Sequence, residues 1–190
     1  MAQMINRGKI YELNNNDLKV NVGEVEVLEN ELLFKGTGQS YLDYKDYNEI
    51  AIPNTYSRFI METSFNLENN NRAVAGFKLS SDNSKKSHIL CVDKLNREVY
   101  VMTRSVQGTY KCASIKLNIS DWSNINVNII VEDDIVDIFV NDEYSLSARI
   151  LDTGDSLGNV SVVAFGNKKV KMSGLTMYKL ASSDNLNLYD

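Results

Sequence analysis

Short runs of alternating apolar and polar residues recur along the chain, and Asn, Asp, Gly or Ser closes each run. The runs are rich in Val, Ile, Tyr and Phe and recur about every 8 to 12 residues, which is typical of sandwiches and barrels. No stretch keeps the spacing of an amphipathic helix for three turns. The pattern predicts an all-β fold, an antiparallel two-sheet β-sandwich of the concanavalin-like jelly-roll type.

The predicted strands follow from these runs and from the polar turns between them. They lie near Asp17–Val22, Glu24–Leu28, Glu31–Phe34, Gln39–Tyr44, Tyr56–Asn66, Arg72–Ser80, Ser87–Asp93, Glu98–Thr103, Tyr110–Leu117, Asn126–Glu132, Ile135–Val140, Tyr144–Arg149, Val160–Phe165 and Lys169–Lys179.

The alternation is clearest in the hairpin whose turn contains Asp133. One face of its two strands is wholly apolar and is predicted to lie in the core: Val127, Ile129, Val131, Val136, Ile138 and Val140. Asp137, Phe139 and Asn141 project from the opposite face of the second strand. This mixture of residue types predicts partial cover or a concave surface that is open to solvent.

A length of 190 residues, 43% of them hydrophobic, suits one domain with a substantial core. We predict the sandwich over residues 17–180. Residues 1–16 form a tail, a linker or a first edge strand, because an Asn triplet interrupts their pattern. Residues 181–190 form a polar tail.

The net charge of the chain and the distribution of its basic residues limit its possible partners. The formal net charge is -5 and the Lys and Arg residues are scattered, so we expect no nucleic-acid partner. No stretch approaches the roughly 18 apolar residues of a membrane span, so we expect no membrane partner either. A glycan or polysaccharide, a homo-oligomer and a parent multidomain protein remain as partners.

No catalytic residue is predicted. His88 is the single histidine, and the chain has no G-x-S-x-G, Walker, dinucleotide-binding or H-E-x-x-H motif. Cys91 and Cys112 lack the neighbours that a zinc site needs, and half-buried strand thiols are the simpler interpretation. Paired carboxylates of a hydrolase or lyase stay open as an alternative, because the distance between such carboxylates is set in three dimensions.

No cofactor is predicted, although a structural Ca²⁺ ion stays open. Two acidic turns offer clustered oxygen ligands, Glu132-Asp133-Asp134 and Asp152-Thr153-Gly154-Asp155. The chain has no twelve-residue EF-hand pattern. Turns that are simply rich in Asp are the alternative.

Three segments carry a resemblance to a known family. The segment from Val131 to Glu143, followed by Ser147-Ala148-Arg149-Ile150, resembles the C-terminal β-sandwich of family 32 glycoside hydrolases, which include invertases, levanases and inulinases. Ala75-Gly76-Phe77-Lys78-Leu79 is similar to the A-G-L-x-L strand of that family, and His88 to Arg104 is similar to its paired strands. The resemblance covers residues 58–180.

This sequence departs from the family pattern in ways that affect function. Asp133 and Asp134 stand where the family has Arg-Ser, Glu143 replaces the turn glycine, and the catalytic propeller of the family has no counterpart in the sequence. The resemblance therefore implies the sandwich without the enzyme. Related carbohydrate-binding modules use this sandwich to hold a terminal fructosyl unit of a fructan, and residues 24–44 resemble the entry strands of such modules.

The leading hypothesis is therefore a non-catalytic carbohydrate-binding module for terminal fructosyl units. The resemblance and the strand ends suggest a set of ligand-binding candidates: Arg104, Asp133, Asp134, Asp93, Glu62 and Trp122. The alternative is a structural or attachment domain, such as one in a phage tail, a surface appendage or a larger glycoside hydrolase, that acts through protein contacts. Localisation is left open, and an extracellular or cell-surface place follows if the parent protein is secreted.

Overall fold

The computed structural model describes residues 8–12, 18–36, 47–53, 57–81, 85–150, 157–166 and 168–180. These residues form fifteen β-strands and no helix. The strands are β1 Gly8–Glu12, β2 Lys19–Val22, β3 Val25–Leu28, β4 Glu31–Phe34, β5 Asn48–Ile52, β6 Arg58–Asn66, β7 Val74–Ser81, β8 Lys86–Asp93, β9 Glu98–Ser105, β10 Gly108–Lys116, β11 Ile125–Glu132, β12 Ile135–Val140, β13 Tyr144–Arg149, β14 Leu157–Phe165 and β15 Val170–Lys179. None of the described ranges contains a helix long and apolar enough to cross a membrane.

The strands form two antiparallel sheets, which confirms the predicted sandwich. The eight-stranded sheet has the order β13-β12-β11-β6-β15-β4-β3, and β1 also pairs with β15. The seven-stranded sheet has the order β10-β9-β8-β7-β14-β5-β2. Strands β1 and β4 share one edge of β15, because β1 pairs with its second half and β4 with its first half.

The core lies between the two sheets. The six residues predicted from the hairpin around Asp133 are all fully buried there, so that prediction is confirmed. They pack with large side chains from the facing sheet, such as Phe77 and Leu79. Burial of a side chain of this size contributes about 1.5 to 3 kcal/mol each, so the shared core is the main stabilising element of the fold.

Two regions differ from the predicted strand pattern. Strand β5 was not predicted, because it begins with Asn48 and Glu49, polar residues that usually mark a turn. Both are buried in the structure. The predicted strand Gln39–Tyr44 lies outside the described residues. Strand β1 lies within the segment predicted as a tail, a linker or a first edge strand, and it takes the edge-strand role.

The outer faces of the two sheets are built differently. Strands β11 and β12 alternate between buried and more exposed residues, as expected for a sheet with one face in solvent. Strands β8 and β9 instead contain runs of six consecutive buried residues. The seven-stranded sheet is thus buried on its outer face as well as on its core face over much of its area.

Candidate functional site

A buried carboxylate, that of Glu49, lies on the outer face of the seven-stranded sheet. Glu49 is opposite Val163 of β14, and Lys78 of β7 is opposite Ser161 of the same strand. Side chains two residues apart on a strand share a face. The register therefore brings Glu49, Ser161 and Lys78, from three neighbouring strands, to the same side of the sheet.

Four side chains donate hydrogen bonds to this carboxylate. Ser161 Oγ and Asn21 Nδ2 lie 2.8 and 3.4 Å from Oε1. Lys78 Nζ and Tyr47 Oη lie 2.8 and 2.9 Å from Oε2. Glu49 is only 5% exposed, and an unpaired charge at such a position would be costly. We call Asn21, Tyr47, Glu49, Lys78 and Ser161 the Glu49 cluster.

Two groups of the cluster have shifted pKa values. Burial alone would raise the pKa of Glu49, but hydrogen bonding and charge attraction from Lys78, with the hydroxyls of Ser161 and Tyr47, lower it below its ordinary value. Burial raises the pKa of Tyr47, against the opposing charge of Lys78. The cluster therefore holds an ionised carboxylate and a neutral phenol at neutral pH. Groups with such shifts are concentrated at functional sites.

Aromatic and apolar groups border the Glu49 cluster. The rings of Tyr47 and Phe165 lie with centroids 5.5 Å apart, and Lys78 Nζ lies 5.8 Å from the Tyr47 centroid. Beside them a second apolar cluster covers the middle of the face: Val74, Ile89, Cys91, Tyr100, Met102, Val163 and Phe165. A few fixed polar groups within apolar surroundings are typical of sites that bind small molecules or sugar units.

A second ionic group lies on the same face, at strands β9 and β10. The Glu98 side chain is 8% exposed and pairs with Lys111, while Lys116 Nζ lies 3.6 Å away. Lys111 Nζ also lies 4.7 Å from the centroid of the Tyr100 ring. One carboxylate is thus shared by two ammonium groups.

The structure also contains a groove where the chain crosses from β2 to β3. Its volume is about 550 Å³, and Val20, Val25 and Leu33 supply its apolar wall. Its ion pair, Lys35 Nζ to Glu24 Oε2 at 2.6 Å, is exposed. Exposed pairs are weak and common on surfaces, so the Glu49 cluster is the stronger candidate for a functional site.

Two of the residues predicted to bind ligand lie on the outer face of the seven-stranded sheet, at opposite ends of it. Arg104 is exposed near the end of β9. Asp93 is fully buried at the end of β8, where it accepts hydrogen bonds from the backbone and the side-chain amide of Asn96. Arg104 therefore faces solvent, whereas Asp93 stabilises the β8–β9 turn.

The other predicted ligand-binding residues lie elsewhere. Asp133 and Asp134 form the β11–β12 turn of the eight-stranded sheet, with Asp133 at a φ of 55° and Asp134 paired with Arg149 at 3.0 Å. Glu62 lies on the outer face of that sheet, opposite Asn128 and Thr176. Trp122 is 6% exposed and packs in the core. The structure does not gather the six candidates into one site.

The described residues contain no group of three His, Cys, Asp or Glu side chains placed to hold a metal ion. The acidic turn Asp152–Asp155 lies outside those residues. Cys91 is buried and Cys112 is exposed, so the two thiols differ in environment and are both free. His88 is buried and its Nδ1 lies 2.9 Å from Thr103 Oγ1.

Sequence reasoning missed the Glu49 cluster entirely. One signal was available: Glu49 and Lys78 are the single charged residues of two largely buried strands, Asn48–Ile52 and Val74–Ser81. A charge in such a strand is expected to find a partner. Which partner it finds depends on the register of strands that are distant in sequence.

Comparison with solved structures gives the class of the protein. The carbohydrate-binding module CBM66 from Bacillus subtilis superposes with a TM-score of 0.68 at 15% identity, covering 86% of this chain and 96% of the module. The fructosyltransferase from A. japonicus gives a TM-score of 0.60 at 13% identity, over 88% of this chain but 27% of the enzyme. The CBM2 module of the evolved Dit of Lactobacillus casei BL23 phage J-1 gives a TM-score of 0.61 at 10% identity, over 93% of this chain and 97% of the module. The protein thus has the β-sandwich fold that these carbohydrate-binding modules share.

The sequence gives the family. The model of the C-terminal domain of family 32 glycosyl hydrolases matches residues 29–179, and the chain belongs to that family. The matched domain is the non-catalytic C-terminal part of those enzymes. A search of curated proteins finds no match to this chain.

Proposed function

We propose that this chain is a non-catalytic carbohydrate-binding module that holds the terminal sugar unit of a glycan at the Glu49 cluster. The terminal fructosyl unit of a fructan is the ligand we propose first. The observation that carries the proposal is the set of four donors fixed around one buried carboxylate. The name of CBM66 as a carbohydrate-binding module and the family of the chain support it.

The chemistry of the cluster suits sugar hydroxyls. Glu49 has its oxygens occupied, so it serves to position Lys78 and Tyr47 rather than to bind ligand. The ammonium of Lys78 has three donors, and among the residues that the structure describes it is Glu49 at 2.8 Å and the Tyr47 hydroxyl at 3.5 Å that accept from it. One donor is left for a ligand hydroxyl. The Tyr47 ring offers a flat apolar surface beside it.

Arg104 remains a proposed ligand contact, because it is exposed on the same sheet face. It lies two strands away from Lys78, roughly 10 Å across the sheet. A site of this width would hold more than one sugar unit. Glu62, Asp133 and Asp134 would serve a separate contact, because they lie on the other sheet.

Binding to insoluble polysaccharides and titration with levan, inulin and fructo-oligosaccharides test the proposal. We expect Arg104→Ala to weaken binding about tenfold, equivalent to about 1.4 kcal/mol, without lowering the melting temperature. Tyr47→Phe should weaken binding by a similar factor and also lower the melting temperature, because it removes a hydrogen bond to the buried Glu49 carboxylate. Lys171→Ala is the control, because Lys171 is partly exposed, lies on the outer face of the other sheet and pairs with Glu31, which is not a proposed ligand contact. If no glycan is retained, or if the control loses as much affinity as Arg104→Ala, the proposal is wrong.

A second candidate function, an attachment domain acting through protein contacts, is favoured by the tip of the β9–β10 hairpin. Val106 is 90% exposed and Tyr110 is 58% exposed there. The structural similarity to the CBM2 module of the phage J-1 evolved Dit also supports an attachment function. Light scattering that finds a defined oligomer, together with a glycan array without hits, would favour attachment over sugar binding.

A further inference from the structure

The groove where the chain crosses from β2 to β3 has a shape that buried hydrogen bonds hold in place. The side chain of Asn48 is 2% exposed, with its Oδ1 2.8 Å from Glu24 N and its Nδ2 2.7 Å from Lys35 O. The backbone amide of Lys35 also donates to the carbonyl oxygen of Glu24 at 3.0 Å. One buried side chain therefore ties together the two segments that carry Glu24 and Lys35 into the groove.

Gly23, which also lines the groove, makes this close approach possible. Its φ of +76° lies in the left-handed region, and a Cβ at this position would lie 2.2 Å from Asn48 Oδ1. Any other residue there would be strained in its backbone and would displace the Asn48 amide. The groove is thus preformed by a buried asparagine and a glycine rather than by surface side chains alone.

The lining of the groove combines an apolar wall with charged groups. Val20, Val25 and Leu33 supply the wall, and Val20 is 40% exposed. The charged residues of the described lining are two carboxylates and two ammonium groups: Glu24, Glu26, Lys35 and Lys169. Their charges cancel, so this lining is complementary to an uncharged ligand rather than to an anion or a cation.

The ion pair of Lys35 with Glu24 leaves hydrogen-bonding capacity for a ligand. Lys35 Nζ has three N–H donors, and one of them bonds to Glu24 Oε2 at 2.6 Å. Within the described part of the chain, two donors of Lys35 and the second carboxylate oxygen of Glu24 remain available. The two side chains are 59% and 72% exposed, so a ligand in the groove can reach both. Donors and an acceptor side by side suit the hydroxyl groups of a sugar, each of which both donates and accepts.

We propose that this groove is a second sugar site, which holds one unit of a neutral glycan. The C–H face of the sugar lies against the apolar wall, and its hydroxyls bond to Glu24 and Lys35. A volume of about 550 Å³ lies within the range of pockets that bind small molecules, roughly 300 to 1,000 Å³. The inference rests on the proposed function for the class of ligand, but not for the site.

The groove is separate from the Glu49 cluster, although both use strand β2. Val20 lines the groove, whereas the next residue, Asn21, bonds to Glu49. Neighbouring side chains of a strand point to opposite sides of the sheet. The two sites therefore lie on different sides of β2, and each protein molecule should bind two short oligosaccharides.

Isothermal titration calorimetry with a fructo-oligosaccharide of three units counts the sites. We expect two sugar molecules per protein molecule for the wild type and one for Glu24→Ala/Lys35→Ala. This double variant should keep the wild-type melting temperature, because the ion pair is exposed. The matched control, Glu31→Ala/Lys171→Ala, removes another ion pair of 2.6 Å, from outside the groove, and should leave two sites.

Methyl NMR spectra recorded during the same titration locate the sugar. We expect the methyl resonances of Val20, Val25 and Leu33 to shift in the wild type and in Arg104→Ala, but not in Glu24→Ala/Lys35→Ala. The methyl resonances of Val136, which is fully buried in β12, should stay unchanged in all three proteins.

The outcomes separate this inference from the proposed function. One sugar molecule per protein molecule, with the three methyl resonances unchanged and binding weakened by Arg104→Ala, overturns the inference and leaves the proposed function standing. A single site that shifts those resonances and is insensitive to Arg104→Ala and Tyr47→Phe supports the inference and overturns the proposed function. Failure to bind a fructan or any other neutral glycan overturns both.

Discussion

The outer faces of the two sheets show two solutions to the same problem, the placement of polar groups on a sheet. On the eight-stranded sheet, polar side chains alternate with core residues and contact solvent, as in β12. On the seven-stranded sheet, Glu49, Ser161 and Asp93 are buried, and each is held by hydrogen bonds. A polar group in water costs little, whereas a buried one must be satisfied. The polar groups of the seven-stranded sheet are therefore the more informative about function.

Removing one carboxylate from each outer face tests whether buried polar groups contribute more stability than solvated ones. Glu49→Ala should lower the free energy of unfolding by about 3 to 5 kcal/mol, because Lys78 and Ser161 lose their shared partner in a buried place. Glu132→Ala should cost less than about 1 kcal/mol, since its pair with Arg58 is 3.4 Å long and partly exposed. Urea denaturation measures both. Equal losses would contradict the contrast between the faces.

Substituting one glycine in each sheet tests the same difference between the two sheets. A Cβ on Gly76 of β7 would lie 1.9 Å from the carbonyl oxygen of Leu90, in the backbone of the next strand. Gly76→Ala should therefore cost about 2 to 3 kcal/mol. Gly174 of β15 has a φ of +68° and no atom within 4 Å of an added Cβ, so Gly174→Ala should cost only about 1 kcal/mol from backbone strain. Thermal or urea unfolding of both variants measures the two losses of stability, and equal losses would contradict the prediction.

Acid should weaken the seven-stranded sheet through Glu49. Its pKa in the folded protein lies below the ordinary value of 4.5. The stability that its charge contributes is therefore present above about pH 4.5 and is lost as the pH falls through the folded pKa. Between pH 6 and pH 3 the wild type should lose more stability than Glu49→Gln, and the gap between them should narrow. Parallel pH profiles for the two proteins would exclude this role of Glu49.

The smallest effect is expected on the solvated face. Ser64 Oγ donates a hydrogen bond of 2.7 Å to Asn126 Oδ1 at an exposed position. Ser64→Ala should change the free energy of unfolding by about 0.5 kcal/mol, because water replaces the lost partner. Ser161→Ala is the matched change on the other face, where the hydroxyl is buried against Glu49, and it should cost at least twice as much.

Much of the fold was predictable because strand patterning is local. The alternation in β11 and β12 named six core residues correctly, and the polar turn between them fell where the structure has it. Strand β5 was missed because a buried Asn48 and Glu49 look like turn residues until their partners are known. Asn48 is satisfied by the backbone of Glu24 and Lys35, residues that precede it by 24 and 13 positions.

The candidate site was less predictable than the fold. Of the residues expected to bind ligand, Arg104 lies on the face of the Glu49 cluster, whereas Trp122 is in the core and Asp133 belongs to the other sheet. Strand patterning says that a side chain points away from the core. It does not say on which sheet the strand lies, or whether that outer face is solvated.

The sequence by itself determined the all-β class, the family and most strand positions, because alternation and turn chemistry act over a few residues. Only the tertiary structure decided which charges meet. Glu49 and Ser161 are 112 positions apart, and they touch because β14 lies between β5 and β7 in the sheet order. That order is set by the packing of the whole core, and the Glu49 cluster exists only as a consequence of it.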